Sequence, residues 1–328
     1  MRIAKGQPTP SDVHVDRPLT DISVLYMQEA SDFVATKVFP IVHVKKQTDK
    51  YFIHTKNDWF RDEVKRRAPS TQSAGTGYNL STATYSCDVW GLHKDIDQQT
   101  YKNYDNPLRP EQNATDFLTQ MMLIRMEVQW AADFFVTSIW GTTGTPTITW
   151  NDATSDPRTD IDLAKRAIRR TTGHKANKLT LGYDVFNALK RHPDLRDQFK
   201  YTSDQVLTPS LLARLFDVEE VLVLEAVKAT NAEGATEAYS FVCDSRSALL
   251  TYSPKAPAIE MPSCGYIFMW DNDDSPSMGA GPWGVTKWWM QEIKSNRVEI
   301  EAAWDNKLVG SDLGYFWLNA VAEVDETP

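Results

Sequence analysis

Glu111-Gln-Asn-Ala-Thr-Asp-Phe-Leu-Thr-Gln-Met-Met-Leu-Ile-Arg-Met-Glu-Val-Gln-Trp-Ala-Ala-Asp-Phe-Phe-Val-Thr137 contains neither glycine nor proline. Phe117, Met121, Ile124, Val128, Ala131 and Phe135 recur along it at intervals of three and four, which predicts an amphipathic α-helix with that face toward a core. Pro107 and Pro110 stand just ahead, where proline starts helices. At 1.5 Å per residue the helix would be on the order of 40 Å long, a rigid strut.

Upstream of the strut the chain reads as extended. Met1 to Pro18 is polar and interrupted by Pro8, Pro10 and Pro18, an arm, and Asp21 to Val38 has near-helical apolar spacing until Pro40. Strand-like pieces follow at Ile41 to Val44 and Tyr51 to His54, and another at Tyr85 to His93. The last two are read as legs of a hairpin whose long tip holds Trp59, Phe60 and the charged stretch to Arg67. A loop of that length inside a compact domain signals a functional excursion.

Downstream, Gly141 to Trp150 reads as a hairpin or loop and Asp160 to Thr172 as a basic amphipathic helix. A buried strand at Lys178 to Leu181, helices at Tyr183 to Arg191 and Ser210 to Phe216, and strands at Glu220 to Leu224, Tyr239 to Val242 and Ala248 to Tyr252 describe an α/β region. One long alternating strand is expected from Val285 to Trp304, a turn at Asp305 and Asn306, and a final apolar strand from Gly314 to Val321.

The chain has 328 residues, 41% hydrophobic, with a formal net charge of -9. That is enough apolar material for real cores, and the wrong charge for a broad nucleic-acid-binding surface. No run approaches the roughly 20 apolar residues that span a bilayer, and Met1 to Pro10 lacks the apolar stretch of a signal peptide. Cys87, Cys243 and Cys264 are far apart and odd in number, so reduced structural thiols are expected.

Catalytic chemistry finds no pattern to stand on. The histidines His14, His43, His54, His93, His174 and His192 show no HExxH or HxH spacing, and no P-loop, GxGxxG or GxSxG occurs. Asp271-Asn-Asp-Asp274 lacks the glycine and distal glutamate of an EF-hand. Asp152, Asp156, Asp160 and Asp162 with Trp283, Trp288, Trp289 and Trp304 leave a carbohydrate-active enzyme as a weaker alternative. Lys165, Arg166, Arg169 and Arg170 suit phosphate or, more simply, a solvated helix face. No catalytic residue, cofactor or metal ligand is assigned.

Arm, long two-stranded loop, strut helix, α/β region and closing strands follow in an order that resembles the major capsid proteins of tailed bacteriophages, with the HK97-type fold. Arg17-Pro-Leu-Thr-Asp-Ile-Ser-Val24, Asp32-Phe-Val-Ala-Thr-Lys-Val-Phe-Pro40, Ala176-Asn-Lys-Leu-Thr-Leu-Gly-Tyr-Asp-Val185 and Asn306-Lys-Leu-Val-Gly-Ser-Asp-Leu-Gly-Tyr315 are similar to phrases of that family. The resemblance implies an α+β chain. An N-arm would span 1–41, an E-loop 42–89, a P-domain 90–158 and 285–307 with its spine helix about 111–137, and a central A-domain 159–284 and 308–328.

It further implies self-assembly into hexamers and pentamers of an icosahedral shell around double-stranded DNA, in the virion, after assembly in the host cytoplasm. Trp59 and Phe60 would be aromatic anchors between subunits, with Arg61, Asp62, Arg66 and Arg67 as their charged rim. A separate scaffolding protein is expected, since no long scaffolding region precedes the arm, together with portal and decoration proteins. An encapsulin-like compartment around cargo shares the implied fold and stays open. No motif marks a crosslinking residue among Lys45, Lys46, Lys50 and Lys56.

Overall fold

The computed structural model describes residues 27–54, 56–103, 109–199, 207–232, 234–257, 261–271 and 284–323. The expected arm to Pro18, the start of the helix expected from Asp21, and Asn272 to Trp283 lie outside these residues. The described chain enters through helix α1 (Ala35–Val38) and strands β1 (Ile41–Val44) and β2 (Thr48–His54). Helix α2 (Lys56–Trp59), strands β3 (Leu80–Ser86) and β4 (Asp88–Asp97), and helices α3 (Gln98–Asn103) and α4 (Pro110–Phe134) follow.

Beyond α4 come β5 (Thr142–Gly144), α5 (Pro157–Thr172), β6 (Lys178–Gly182), α6 (Tyr183–Arg191), α7 (Pro193–Phe199), α8 (Pro209–Leu215), β7 (Glu220–Leu224), β8 (Val227–Ala229), β9 (Tyr239–Phe241) and β10 (Ala248–Thr251). The chain ends on β11 (Gly265–Trp270), β12 (Gly284–Met290), β13 (Ser295–Leu308) and β14 (Gly314–Trp317).

Two sheets organise these elements. In the first, β13 pairs antiparallel with β4 along one edge and with β12 and then β11 along the other, and β1 adds in parallel to β11. Helix α4 lies across one face, burying Ala114, Leu118, Met122, Met126, Trp130 and Phe134 in a core with Val298, Ile300, Ala302 and Trp304 of β13. The second sheet runs β5-β14-β10-β6-β7. Leu249 and Phe316 point from it into the α4 core, whereas Leu250 and Trp317 join a second core with Trp150, Ile161, Leu181 and Phe216. Burial on both faces explains why β6 and β10 read as continuous buried runs without alternation.

The buried stripe of α4 meets the expected one only in part: Phe135 is buried and Ile124, Val128 and Ala131 pack against the core, but the most deeply buried line is a neighbouring one. Phe117 faces outward with Lys94 over its ring, and the stripe runs at intervals of four from Ala114 to Phe134. Met121-Met122-Leu123-Ile124 is apolar all round, so two neighbouring stripes are equally greasy, and contact with Val298, Ile300, Ala302 and Trp304 of β13 decides which is buried deepest. The expected single strand from Val285 to Trp304 is a hairpin, β12 and β13, turning at Gln291 to Lys294 with Lys294 at φ 48°. Asp305 and Asn306 continue β13 without a turn. The final strand stops at Trp317, and residues 30–38 form a short 3-10 turn and α1 in place of one helix.

Helix α1 is gripped at both ends. Buried Glu127 of α4 accepts the N–H groups of Val34 and Ala35 at 3.1 and 2.9 Å, and Lys178 of β6 donates to the carbonyls of Lys37 and Val38 at 2.6 and 2.9 Å. A carboxylate at the positive end and an ammonium at the negative end complement the dipole of the helix. Burial drives the Glu127 carboxyl up to about 7 against the pull of the two N–H groups, and burial likewise pulls Lys178 down. Gln28 adds a third clasp, its side-chain amide pairing with both the N–H and the carbonyl of Val227.

Candidate assembly surface

Strands β2 and β3 carry β-formers such as Thr48, Tyr51, Phe52, Ile53, Thr82, Thr84 and Tyr85, and pair in antiparallel register from Thr48 opposite Ser86 to His54 opposite Leu80. This second leg precedes the expected one. Asp88–Asp97 leaves the ribbon and runs the length of β13, because Cys87 turns inward and is buried with Tyr85, Phe268 and Ala303. The root of the ribbon is therefore part of a core, with Tyr85 stacked on Phe268 at 4.6 Å and the N–H of Ser86 donated to Asp305. Burial pushes the Cys87 thiol up to about 12, an inert packing residue.

Away from the root, the ribbon is a two-stranded sheet with little to pack on. Phe52 is 67% exposed, Trp59 64%, Phe60 63% and Val64 94%. Isolated two-stranded hairpins are marginal in water, and an exposed apolar group of this size marks a contact surface. Trp59 tilts against Tyr78 across the tip at 5.9 Å. The tip leans on the body at two points. Lys56 pairs with Asp312, and the Phe60 ring lies over Gly173, where an added methyl would sit 3.5 Å from Cζ.

The charged rim divides. Arg61 is engaged inside the loop, bridging Asp58 at 3.1 Å and Glu63 at 3.5 Å, and Asp58 also accepts the N–H of Asn79. Asp62, Arg66 and Arg67 are exposed, and none forms an ion pair among the described residues. The contribution of Lys56 and Asp312 was not legible in the sequence, since nothing local relates positions so far apart.

The aspartates weighed for carbohydrate chemistry, and Trp304 with them, have local structural partners. Asp152 caps the turn at Thr154, Asp156 caps α5 through Thr159, Asp160 accepts the Trp150 indole at 2.9 Å, and Asp162 pairs with Lys165. Trp304 is buried against Trp90, and Trp288 and Trp289 lie on β12. Trp283 lies outside the described residues. Buried His192 bonds Ser155 and the Asp152 carbonyl, and His174 stacks on Tyr252. Among the described residues no three His, Cys, Asp or Glu side chains converge in a metal-binding group.

A strut helix across a twisted sheet, a two-sided α/β sheet beside it and a long ribbon projecting from the first sheet make up the HK97-type capsid fold, in the α+β class. No family model matches the chain. It is 26% identical over 228 residues to the major capsid protein of Burkholderia phage BcepMu, covering 68% of this chain and 73% of that protein. A phage-related protein of Bordetella bronchiseptica RB50 superposes with TM-score 0.67 at 22% identity, covering 89% and 93% of the two chains. The capsid of cyanophage P-SCSP1u gives 0.60 at 9% identity, covering 96% and 98%. The SrpI encapsulin of Synechococcus elongatus gives 0.51 at 10% identity, covering 92% and 93%.

Proposed function

We propose that this chain is the major capsid protein of a tailed phage, with copies joining as hexamers and pentamers in a closed icosahedral shell around double-stranded DNA. The observation that carries this reading is the ribbon of β2 and β3. It exposes Phe52, Trp59, Phe60, Val64 and Tyr78 within one short segment that has little of its own chain to pack on, so the cover we infer is another molecule. In this reading the ribbon is the E-loop, 42–89, laid over a neighbour with Trp59 and Phe60 as anchors and Asp62, Arg66 and Arg67 as rim. The arm is 1–41, and α1 is the part of it gripped by Glu127 and Lys178. Residues 90–158 and 285–307 form the P-domain, and 159–284 with 308–328 the A-domain.

A separate scaffolding protein, a portal and decoration proteins would be its partners, the shell maturing into the virion from the host cytoplasm. Its work is non-covalent association and not turnover. Expression of the chain with its scaffold tests this by sedimentation and electron microscopy. Closed particles are expected, and a chain that remains monomeric under every assembly condition overturns the reading. The encapsulin-like alternative rests on the shared fold alone; particles that enclose a protein cargo and no DNA during infection would favour it.

A further inference from the structure

We propose that the arginine face of α5 docks on the open acidic face of the β4-β13-β12 sheet of a second copy of this chain. The inference rests on the shell reading and names the two surfaces that meet.

Pro157, Ile161, Ala164, Ile168 and Thr172 turn α5 inward. Its outer face then presents Leu163, Arg166, Arg169 and Arg170, all exposed. Lys165 is satisfied by Asp162 and the Phe216 carbonyl, whereas the three arginines make no ion pair or side-chain hydrogen bond among the described residues. Three uncompensated guanidinium groups around an exposed leucine, at the end of a helix that also carries the exposed Phe60 ring, are a surface prepared for carboxylates.

The complementary surface lies on the same chain. Register places Gly91 opposite Glu301, His93 opposite Glu299 and Asp95 opposite Arg297 on the sheet face away from α4. Arg297 is consumed by a two-pronged pair with Asp95 at 2.7 and 2.8 Å. Neither Glu299 nor Glu301 forms an ion pair among the described residues, although Glu299 lies within the field of Arg297, and both bend over Gly91. A methyl there would lie 3.7 Å from Oε1 of each. Val89 and Trp288, on the same face, are exposed apolar flanks.

The spacings agree. Arg166 and Arg170, four apart on a helix, stand about 6 Å from each other, and Glu299 and Glu301, two apart on a strand, about 7 Å. Leu163 would meet the apolar flank. One chain carrying both halves of a head-to-tail contact can close a ring, the arrangement a capsomer needs. A second copy is favoured over nucleic acid because the matching carboxylate pair is present in every copy of a chain whose net charge is -9.

The test is charge exchange, read by particle yield on sucrose gradients and by circular dichroism of the unassembled chain. R166E/R170E is expected to cut particle yield at least tenfold with an unchanged spectrum, and so is E299K/E301K. The fourfold variant R166E/R170E/E299K/E301K is expected to restore most of the yield. Normal assembly by either double variant, or no recovery in the fourfold one, overturns the docking without touching the shell reading. If the unassembled spectrum changes, R166A/R170A decides, with reduced yield expected and full yield overturning. Wild-type chain that binds duplex DNA in a mobility shift, lost in R166E/R170E while shells still form, would assign the arginines to nucleic acid instead. Absence of wild-type particles would strike the shell reading itself.

Discussion

Replacing Glu127 with glutamine tests how α1 is held. The carboxyl is buried, accepts the N–H groups of Val34 and Ala35, and stands at about 7, raised from 4.5 first by burial, with Lys37 and the two N–H groups pulling the other way. Because the folded state binds the proton more tightly than the unfolded chain, this residue contributes stability at low pH that is lost as pH rises from 4.5 through 7. Between pH 5 and pH 8 the loss is about 2 to 3 kcal/mol. Glutamine keeps an oxygen facing both N–H groups and does not titrate. Urea unfolding of the unassembled chain at pH 5, 6, 7 and 8 should show that component of the pH slope in the wild type and not in E127Q. E127A, which strands two buried N–H groups, should be about 2 to 4 kcal/mol less stable than the wild type at pH 5. An E127Q slope as steep as the wild type would refute the account of Glu127 as the titrating clamp.

Trp130 is fully buried and packs against Phe39, Phe134 and Phe135, so W130A should cost about 3 to 5 kcal/mol in urea melts of the unassembled chain. The Asp95 carboxyl is held below its usual range chiefly by the Arg297 side chain, so its contribution is present at neutral pH and lost as pH falls below about 4. D95N should lower neutral-pH stability by about 1 kcal/mol and be indistinguishable from wild type near pH 2, compared by thermal melts. Gly173 ends α5 at φ 75°, and G173A should cost about 1 kcal/mol by urea titration. F60D, whose ring is exposed in the single chain, should leave that stability within about 0.5 kcal/mol of wild type and still reduce particle yield.

What could be read from order and period along the chain held up to the fold class: a glycine-free strut, paired strands before it, an α/β region after it. Helix and strand periods are local, set by 3.6 and 2 residues, so α4, α5 and β6 need no distant partner to be recognised. Three things needed the tertiary structure. Which of two apolar stripes of α4 is buried deepest depends on β13, some 170 residues away in the chain. Whether Gln291 to Lys294 turns or continues depends on both β12 and β4 wanting β13 as a neighbour. The grip of Glu127 and Lys178 on α1 joins three segments that share no local pattern. The ribbon stands between these cases. Its aromatics were legible at Trp59 and Phe60, but that they face outward, with Arg61 folded back on its own loop, follows only from where β2 and β3 leave the sheet. Local sequence determines which elements form; the competition among apolar faces for a finite core decides which face each element shows, and so what is left for another copy.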